Sequence, residues 1–445
     1  MAGKSAKKTY DPLIMLSPVG LLPELESLAR ELYELACKGS KDIWPEMEGE
    51  SFKDNDNLKA RFLTAAHKGM NAAQQKIVEI IRSDVELTDS HHLLFRGIAD
   101  AMGWQIIRQQ LCHARTYYKE HRPINLKESN FDSVVYCVEE FTKQKPGSFS
   151  LISDLTSFIQ VGDLLTVDSD GKLTLSEVKE GKKNHAIFKF MNFFIETQCD
   201  HAFDHFSNQY GKNGVKQLQR MFRQTVRMSH VKNVMNEGKS TDPDTDRHIR
   251  IPDELVYVPS WNEELNSTLK ECDKKGWGWN VIDECLFIGI YSKEIYHGHG
   301  HAIFNSVFDN FEWSEGSPRF RLFDSMIAPL ALTIFNLNIH EEHKFDILFG
   351  RKNVCLGLNI GRFLDEIRKS GLTVRRATNK EASNLDKKRM PPYRWNGKAI
   401  FIGNSKREVC LSDGIFMRIF FHGQRPVKLV HALLNNPAFE EEGQR

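Results

Sequence analysis

From about residue 20 to residue 120, apolar residues recur every three to four positions with charged residues between them. This spacing is typical of amphipathic helices. Residues 88–90, Thr-Asp-Ser, can cap the last of the helices. The sequence therefore predicts a helical N-terminal region over residues 1–128. The pattern is clearest in three runs, 23–37, 71–81 and 93–111.

The pattern changes after a polar break at residues 119–130. Helical spacing predicts a short helix over 131–141, and alternation then predicts a β-hairpin over 161–179 with its turn at Asp168-Ser-Asp-Gly171. The apolar stretch 186–195 fits a buried helix or strand, and a further helix is expected from Gly211 to about Met235. Helix, hairpin and further elements in this order predict an α/β domain over 129–236.

The hairpin carries two acids and an amine. Side chains alternate along a strand, so Glu177 and Lys179 are expected to point the same way, and Asp163 on the first arm can fold back toward Glu177. Carboxylate and carbonyl oxygens are the ligands that Mg²⁺ prefers, and a nearby lysine can orient water or offset phosphate charge. We expect a Mg²⁺ site, with Mn²⁺ as a substitute, formed by Asp163, Glu177 and the Val178 carbonyl, beside Lys179.

Gly162-Asp163 followed by Glu177-Val178-Lys179 resembles the core signature of the PD-(D/E)XK nuclease superfamily, which has the restriction-endonuclease-like fold. The resemblance covers only about residues 130–230, and glycine stands where many members have proline before the aspartate. It implies a metal-dependent hydrolase that cleaves phosphodiester bonds, with Asp163 and Glu177 as metal ligands and Lys179 as the catalytic lysine.

The resemblance also implies two further catalytic residues. Many members have a glutamate on the preceding helix, where Glu139 matches, and several branches have a glutamine on the later helix, where Gln217 matches. DNA is the usual substrate of this superfamily. The expected protein is a DNA-cleaving endonuclease, similar to restriction or antiviral phage-defence effectors, with a homodimer or a regulatory protein partner as further expectations.

The same residues also allow other interpretations. The acids and the lysine can form a solvated strand face, in which case the chain is a non-catalytic nucleic-acid-binding or scaffold protein. RNA in place of DNA is a second alternative. Residues 166–177 also nearly match a calcium-binding EF-hand loop, but Thr166 stands where a carboxylate is needed and the flanks alternate like strands.

Cationic residues are concentrated near the hairpin. Between Lys179 and Lys232 there are ten Lys or Arg against four Asp or Glu, and residues 374–407 have ten against two, with aromatic residues interleaved. Cations near phosphates supply most of the non-specific affinity for nucleic acid, although charge runs are commonly just solvated faces. The residues expected to contact nucleic acid are Lys182, Lys183, Lys216, Arg220, Arg223 and Arg227.

Residues 248–445 are expected to form an accessory α/β or α+β domain, since strand-like runs alternate with helical patterns there. The polar, turn-rich segment 238–247 reads as a linker before it. The predicted strand-like runs are 255–258, 286–291, 346–349, 399–402 and 415–421.

Composition adds constraints on class and compartment. At 445 residues with a net charge of +1, the chain is long enough for two or three domains and shows no overall charge bias. Its eight cysteines include no Cys-x-x-Cys pair, which favours reduced thiols. The longest apolar run, 326–335, is too short to cross a bilayer, and no secretory signal is recognisable. A cytoplasmic protein without membrane contact is expected.

Overall fold

A computed structural model describes residues 19–47, 55–128, 131–179, 181–243, 246, 248–251, 257–387 and 392–435. The chain divides into two compact units. The N-terminal unit comprises Ser27–Tyr257 and Ala328–Asn336, and therefore contains both the predicted helical region and the predicted hairpin. The C-terminal unit comprises the described residues up to Glu26, together with Val258–Ile327 and Leu337–Leu434.

Helices dominate the N-terminal unit and lie where they were predicted, except that the run 93–111 is interrupted at residues 107–110. Thr88 caps α4, since its hydroxyl accepts the His91 amide and the His91 ring accepts the Thr88 amide. The helices are α1 Glu26–Cys37, α2 Ser40–Met47, α3 Asp56–Arg82, α4 Asp89–Ile106, α5 Leu111–Tyr117, α6 Phe131–Gln144, α7 Gly181–Thr197 and α8 Asp200–Glu237.

An antiparallel sheet of three strands follows α6. Its strands are β1 Phe149–Ile152, β2 Leu164–Val167 and β3 Leu173–Ser176, in the order β1-β2-β3. All residues of β1 and β2 are buried, whereas β3 is partly exposed. The buried Gln74 of α3 satisfies the open edge of β1, since it donates to the Ser150 carbonyl and accepts the Ile152 amide, both at 2.9 Å. The hairpin is thereby held against the helices.

Helices α7 and α8 pack through a small apolar core. Ile187 and Met191 of α7 are buried against Phe206, Leu218 and Met221 of α8. The stretch 186–195 is thus helical, and only part of it is buried. Helix α8 begins before the predicted start and is kinked at Gly211, whose φ of 63° and ψ of −171° are not helical.

The C-terminal unit contains two antiparallel sheets with helices around them. One sheet has the order β6-β7-β9-β8, and in the other β12 pairs with β10, β11 and β13. The elements are α9 Asn262–Lys275, β6 Trp277–Ile282, β7 Leu286–Ser292, α10 Lys293–Tyr296, α11 Gly300–Asp309, β8 Arg319–Arg321, α12 Glu341–Leu348, β9 Lys352–Leu358, α13 Ile360–Lys369, β10 Thr373–Arg376, α14 Asn379–Lys387, β11 Arg394–Trp395, β12 Lys398–Gly403, β13 Glu408–Cys410, α15 Asp413–Phe420 and α16 Pro426–Leu434.

These elements confirm a mixed α/β chain and show that its sheets are small and antiparallel. Strands at 286–291 and 399–402 were predicted correctly, whereas 346–349 lies mainly in α12 and 415–421 mainly in α15. Residues 255 and 256 of the predicted strand 255–258 lie outside the described residues, and Tyr257 and Val258 are not in a strand. The predicted linker instead contains a strand, β4 Lys239–Thr241, which pairs with β5 His248–Arg250.

Within the described part of the chain, none of the helices has the length and apolar character needed to cross a bilayer.

Candidate active site

The predicted hairpin is confirmed. Strands β2 and β3 pair antiparallel, with Leu164 opposite Ser176, and the Gly171 amide donates to the Asp168 carbonyl to close the turn. Gly162 has a φ of 76°, and a Cβ at this position would lie 3.1 Å from the Ser176 carbonyl oxygen. The left-handed backbone conformation therefore favours glycine before Asp163, and the close Ser176 carbonyl adds to that preference.

The Asp163 carboxylate is fixed against the second arm. Its Oδ2 accepts the Val178 amide at 2.6 Å, and its own amide donates to the Ser176 carbonyl at 2.8 Å. Burial and the charge of Glu177 raise the pKa of Asp163 to about 6, against the opposing effect of the Val178 bond. The two acids are thus close enough to repel each other, which is the condition that a bound cation relieves.

Lys179 points to the same side as Glu177, as alternation predicts. Its Nζ donates to Glu177 Oε1 at 2.7 Å and to Gln224 Oε1 at 3.0 Å. The Lys179 and Glu177 side chains are 22% and 16% exposed, so the pair is partly desolvated yet open to a ligand. The structure therefore brings together Asp163, Val178, Glu177 and Lys179, although the metal-ligand role of the Val178 carbonyl stays a prediction.

Gln224 is a residue that sequence reasoning missed. The predicted glutamine, Gln217, lies two turns earlier on α8 and donates to Asn184 of α7 at 3.3 Å. Residues seven apart share a helix face, so the position of Gln217 could have indicated Gln224. The catalytic role assigned to Gln217 stays a prediction, whereas Gln224 is the glutamine that contacts Lys179.

In the nuclease that the sequence predicts, Gln224→Leu is expected to lower the cleavage rate about tenfold, because Lys179 loses one of its two anchors and spends less time oriented toward the site. The measurement is the initial rate at saturating metal. Gln219→Leu, an exposed position on the same helix, is the matched control and should be neutral. Equal rates for wild type and Gln224→Leu would show that Glu177 alone positions the lysine.

Asp154 is a further acid near the hairpin, and it is not among the catalytic residues that the resemblance implies. It lies in the turn Ser153–Leu155 between β1 and β2, and its charge contributes to the raised pKa of Asp163. Glu139, the predicted acid, is exposed on α6, where its charge acts on Lys143. Glu139 stays a prediction, and Asp154 is the further carboxylate whose charge reaches the hairpin.

A buried polar network holds the turn that carries Asp154. Arg96 of α4 donates to the Asp154 carbonyl at 3.0 Å and to the Thr156 carbonyl at 2.8 Å. Asp100, one turn further along α4, accepts the Ser157 amide at 2.7 Å and the Ser157 hydroxyl at 2.6 Å. These side chains fix the β1–β2 connection, and so set where Asp154 stands relative to Asp163.

The EF-hand interpretation is wrong. Thr166, the first residue of that loop, is 3% exposed in β2, and its hydroxyl lies 2.9 Å from the hydroxyl of Ser150. The segment folds as two paired strands, so its oxygens do not surround a cation as an EF-hand loop does.

The cationic residues predicted to bind nucleic acid are available on the surface. Lys182 and Lys183 are exposed in the first turn of α7, and Arg227 is half-buried on α8. The remaining three, Lys216, Arg220 and Arg223, are exposed on α8. Their contact with nucleic acid stays a prediction.

A different group of metal-binding residue types lies in the C-terminal unit. Asp273, His343 and Asp346 place ligand atoms within 4.8 Å of one another, and they are the one such group of three found in the described part of the chain. The buried Lys352 ammonium bonds Asp346 Oδ2 at 2.9 Å, His343 Nδ1 at 3.0 Å, and Asp273. The ammonium already supplies the positive charge that a metal ion would bring, so this group is an ion-pair network.

The protonation of this network follows from its contacts. Burial opposes ionisation of Asp346, but hydrogen bonds from Arg351 and Lys352, with the His343 ring nearby, hold its pKa well below the usual range. A lowered carboxyl pKa contributes stability that is present in full above the unfolded pKa of about 4 and is lost as the pH falls toward the folded value.

Lys352→Met is expected to destabilise the C-terminal unit by about 3 kcal/mol near pH 7, because two carboxylates lose their buried counter-charge. The difference from wild type should shrink below about pH 4, as the carboxylates become protonated. Urea unfolding at pH 7 and pH 3.5 measures both effects. Lys274→Met, an exposed lysine beside Asp273, is the control and should change stability by less than about 0.5 kcal/mol.

Comparisons of the chain with protein-family models, with curated proteins and with solved structures gave no match in any of the three. The residues that the hairpin and α8 bring together are therefore the basis for assigning a function.

Proposed function

We propose that the chain is a metal-dependent nuclease that hydrolyses phosphodiester bonds at the β2–β3 hairpin, with DNA as the expected substrate. The observation that carries the proposal is the convergence of Asp163, Glu177 and Lys179, joined through the Val178 amide and the Lys179 ammonium. Two acids and one amine in this arrangement suit a hard divalent cation beside a phosphate.

The residues fit Mg²⁺ or Mn²⁺. Asp163 and Glu177 are oxygen donors, and burial together with the charge of Glu177 raises the pKa of Asp163, so the pair favours a compensating positive charge. These carboxylates and the Val178 carbonyl would hold the ion. When bound, the ion would neutralise charge on the scissile phosphate and make a water more acidic.

Lys179 is assigned to the water and the phosphate. Its ammonium lies between Glu177 and Gln224, so it can orient an attacking water or offset the charge that develops on phosphate oxygens. Gln224 accepts from the ammonium and limits its motion, so it is a positioning residue. The exposed cations of α7 and α8 would attract the polyanion.

The test is incubation of the protein with plasmid DNA, linear DNA and single-stranded RNA in Mg²⁺, Mn²⁺ or EDTA. Cleavage is expected with either metal and not with EDTA. Asp170→Asn, an exposed acid in the hairpin turn, should cleave like wild type. Cleavage that persists in EDTA, or no cleavage of any substrate in either metal, would contradict the proposal.

At low metal concentration, the cleavage rate should increase with pH, with the midpoint of this acid limb of the pH profile near pH 6. The ionised Asp163 is the form that binds a cation, and its pKa is raised to about 6, so protonation competes with metal at this pH. Higher Mg²⁺ should move the limb to lower pH. Rates from pH 5 to pH 8 at two metal concentrations measure this, and a limb that stays in place would remove Asp163 from the metal site.

A further inference from the structure

Helix α7 exposes an aromatic ring close to its contact with α8, the helix that provides Gln224. Phe188 is 39% exposed, and it follows Asn184 by four residues, which places both on one face of α7. Asn184 accepts a hydrogen bond from Gln217 of α8 at 3.3 Å. The ring therefore lies one turn along α7 from a point of contact with α8.

The adjoining face of α8 combines amide and cationic side chains. Gln217, Arg220 and Gln224 are spaced at i, i+3 and i+7, so they form one row. Gln224 contacts Lys179, while Arg220 is exposed. The row thus contains an exposed cation, contacts α7 at Asn184 and ends at the glutamine that holds Lys179.

The exposure of Phe188 is not explained by packing. The apolar core between the two helices is formed by other side chains, among them Ile187 and Met191. A large ring left open to water beside exposed cations matches what unpaired nucleotides need, since bases stack on aromatic faces and phosphates pair with arginine. Bases inside a duplex are already stacked on one another, so a ring on a helix surface cannot reach their faces.

We propose that this face binds single-stranded nucleic acid, with a base stacked on Phe188 and backbone phosphates along Arg220 toward Lys179. The inference rests on the proposed function and narrows its substrate to an unpaired strand of DNA or RNA.

The test is fluorescence anisotropy in EDTA with labelled single-stranded DNA, the same sequence as a duplex, and single-stranded RNA. Wild type should bind the single strands more tightly than the duplex. Phe188→Ala should weaken single-strand binding about tenfold, and Phe188→Trp should retain it. Phe193→Ala is the matched control, because Phe193 is also exposed on α7, at 48%, but lines an apolar groove with Ala186 and Phe206. The Phe193→Ala variant should bind single strands as tightly as wild type.

Equal affinity for duplex and single strand, or equal losses in Phe188→Ala and Phe193→Ala, would overturn the inference. A change of oligomeric state in Phe188→Ala, measured by light scattering, would assign the face to a protein interface and overturn it as well. Thermal melting checks that each variant is folded. If Phe188→Ala does not fold, Phe188→Leu replaces it in the binding assay. Binding that depends on Phe188 in a protein that cleaves nothing would support the surface and contradict the nuclease proposal.

Discussion

Asp163→Asn is expected to reduce metal-dependent cleavage by at least about a thousandfold and to leave the folded protein more stable at pH 7.5. The loss follows from removing a carboxylate that would hold the cation, since a bound ion supplies several kcal/mol of transition-state stabilisation. The asparagine carbonyl can still accept the Val178 amide, which Asp163 accepts at 2.6 Å, so the hairpin should keep its geometry.

The gain in stability follows from the sign of the pKa shift. Burial and Glu177 raise the pKa of folded Asp163 to about 6, above the unfolded value of about 4. The ionised Asp163 therefore lowers the free energy of unfolding. This loss begins as the pH rises above about 4 and is complete above about pH 6. A neutral isostere removes the cost, worth about 1 kcal/mol after allowance for solvent screening.

Thermal melting with and without Mg²⁺ separates the two effects. Wild type should gain about 2.7 kcal/mol when Mg²⁺ is at a hundred times its Kd, and Asp163→Asn should not respond to the ion. Asp170→Asn should behave like wild type in both assays. An Asp163→Asn protein that is less stable than wild type without metal would show that the carboxylate has a structural role.

The hairpin could be predicted because local chemistry determines it. Alternation over 161–179 and the Asp-Ser-Asp-Gly turn fix the strand pairing, and the pairing brings Asp163 to Val178 and Glu177. The EF-hand alternative could be set aside for the same reason, because apolar and polar residues alternate in the segments on either side of the loop, as they do in strands.

Residues that reach the site from other elements were harder to predict. Gln224 and Gln217 occupy the same face of α8, and only the packing of α8 against the hairpin decides which of them meets Lys179. The approach of Asp154 to Asp163 depends on Arg96 and Asp100 of a helix far away in sequence. Periodicity can indicate the face of α8 that turns to the site, but it does not identify the residue on that face, or the acid from a distant turn, that makes the contact.

Two short apolar runs in the C-terminal unit were wrongly predicted to be strands, for a related reason. The runs 346–349 and 415–421 are too short for a period to distinguish strand from helix, and tertiary packing places them mainly in α12 and α15. The Lys352 network was not predicted at all, since it joins α9, α12 and β9. These residues come together only in the folded structure.

Lys179→Met is expected to lower cleavage by about a thousandfold while leaving the thermal stabilisation by Mg²⁺ intact. The lysine is assigned to the water and the phosphate, a contribution typical of a positioned acid or base, and it is not a metal ligand. Methionine keeps the length of the chain but removes the ammonium that bonds Glu177 at 2.7 Å and Gln224 at 3.0 Å. Freed from that ammonium, Glu177 should bind a cation at least as tightly as before.

The two active-site variants therefore have different expected signatures. Asp163→Asn should lose both cleavage and the response to Mg²⁺, whereas Lys179→Met should lose cleavage alone. Lys172→Met, which removes an exposed cation in the hairpin turn, controls for the loss of charge and should retain most of the activity. If Lys179→Met also lost its response to Mg²⁺, the ammonium would be required to build the acid pair, and its assignment to the chemical step would be wrong.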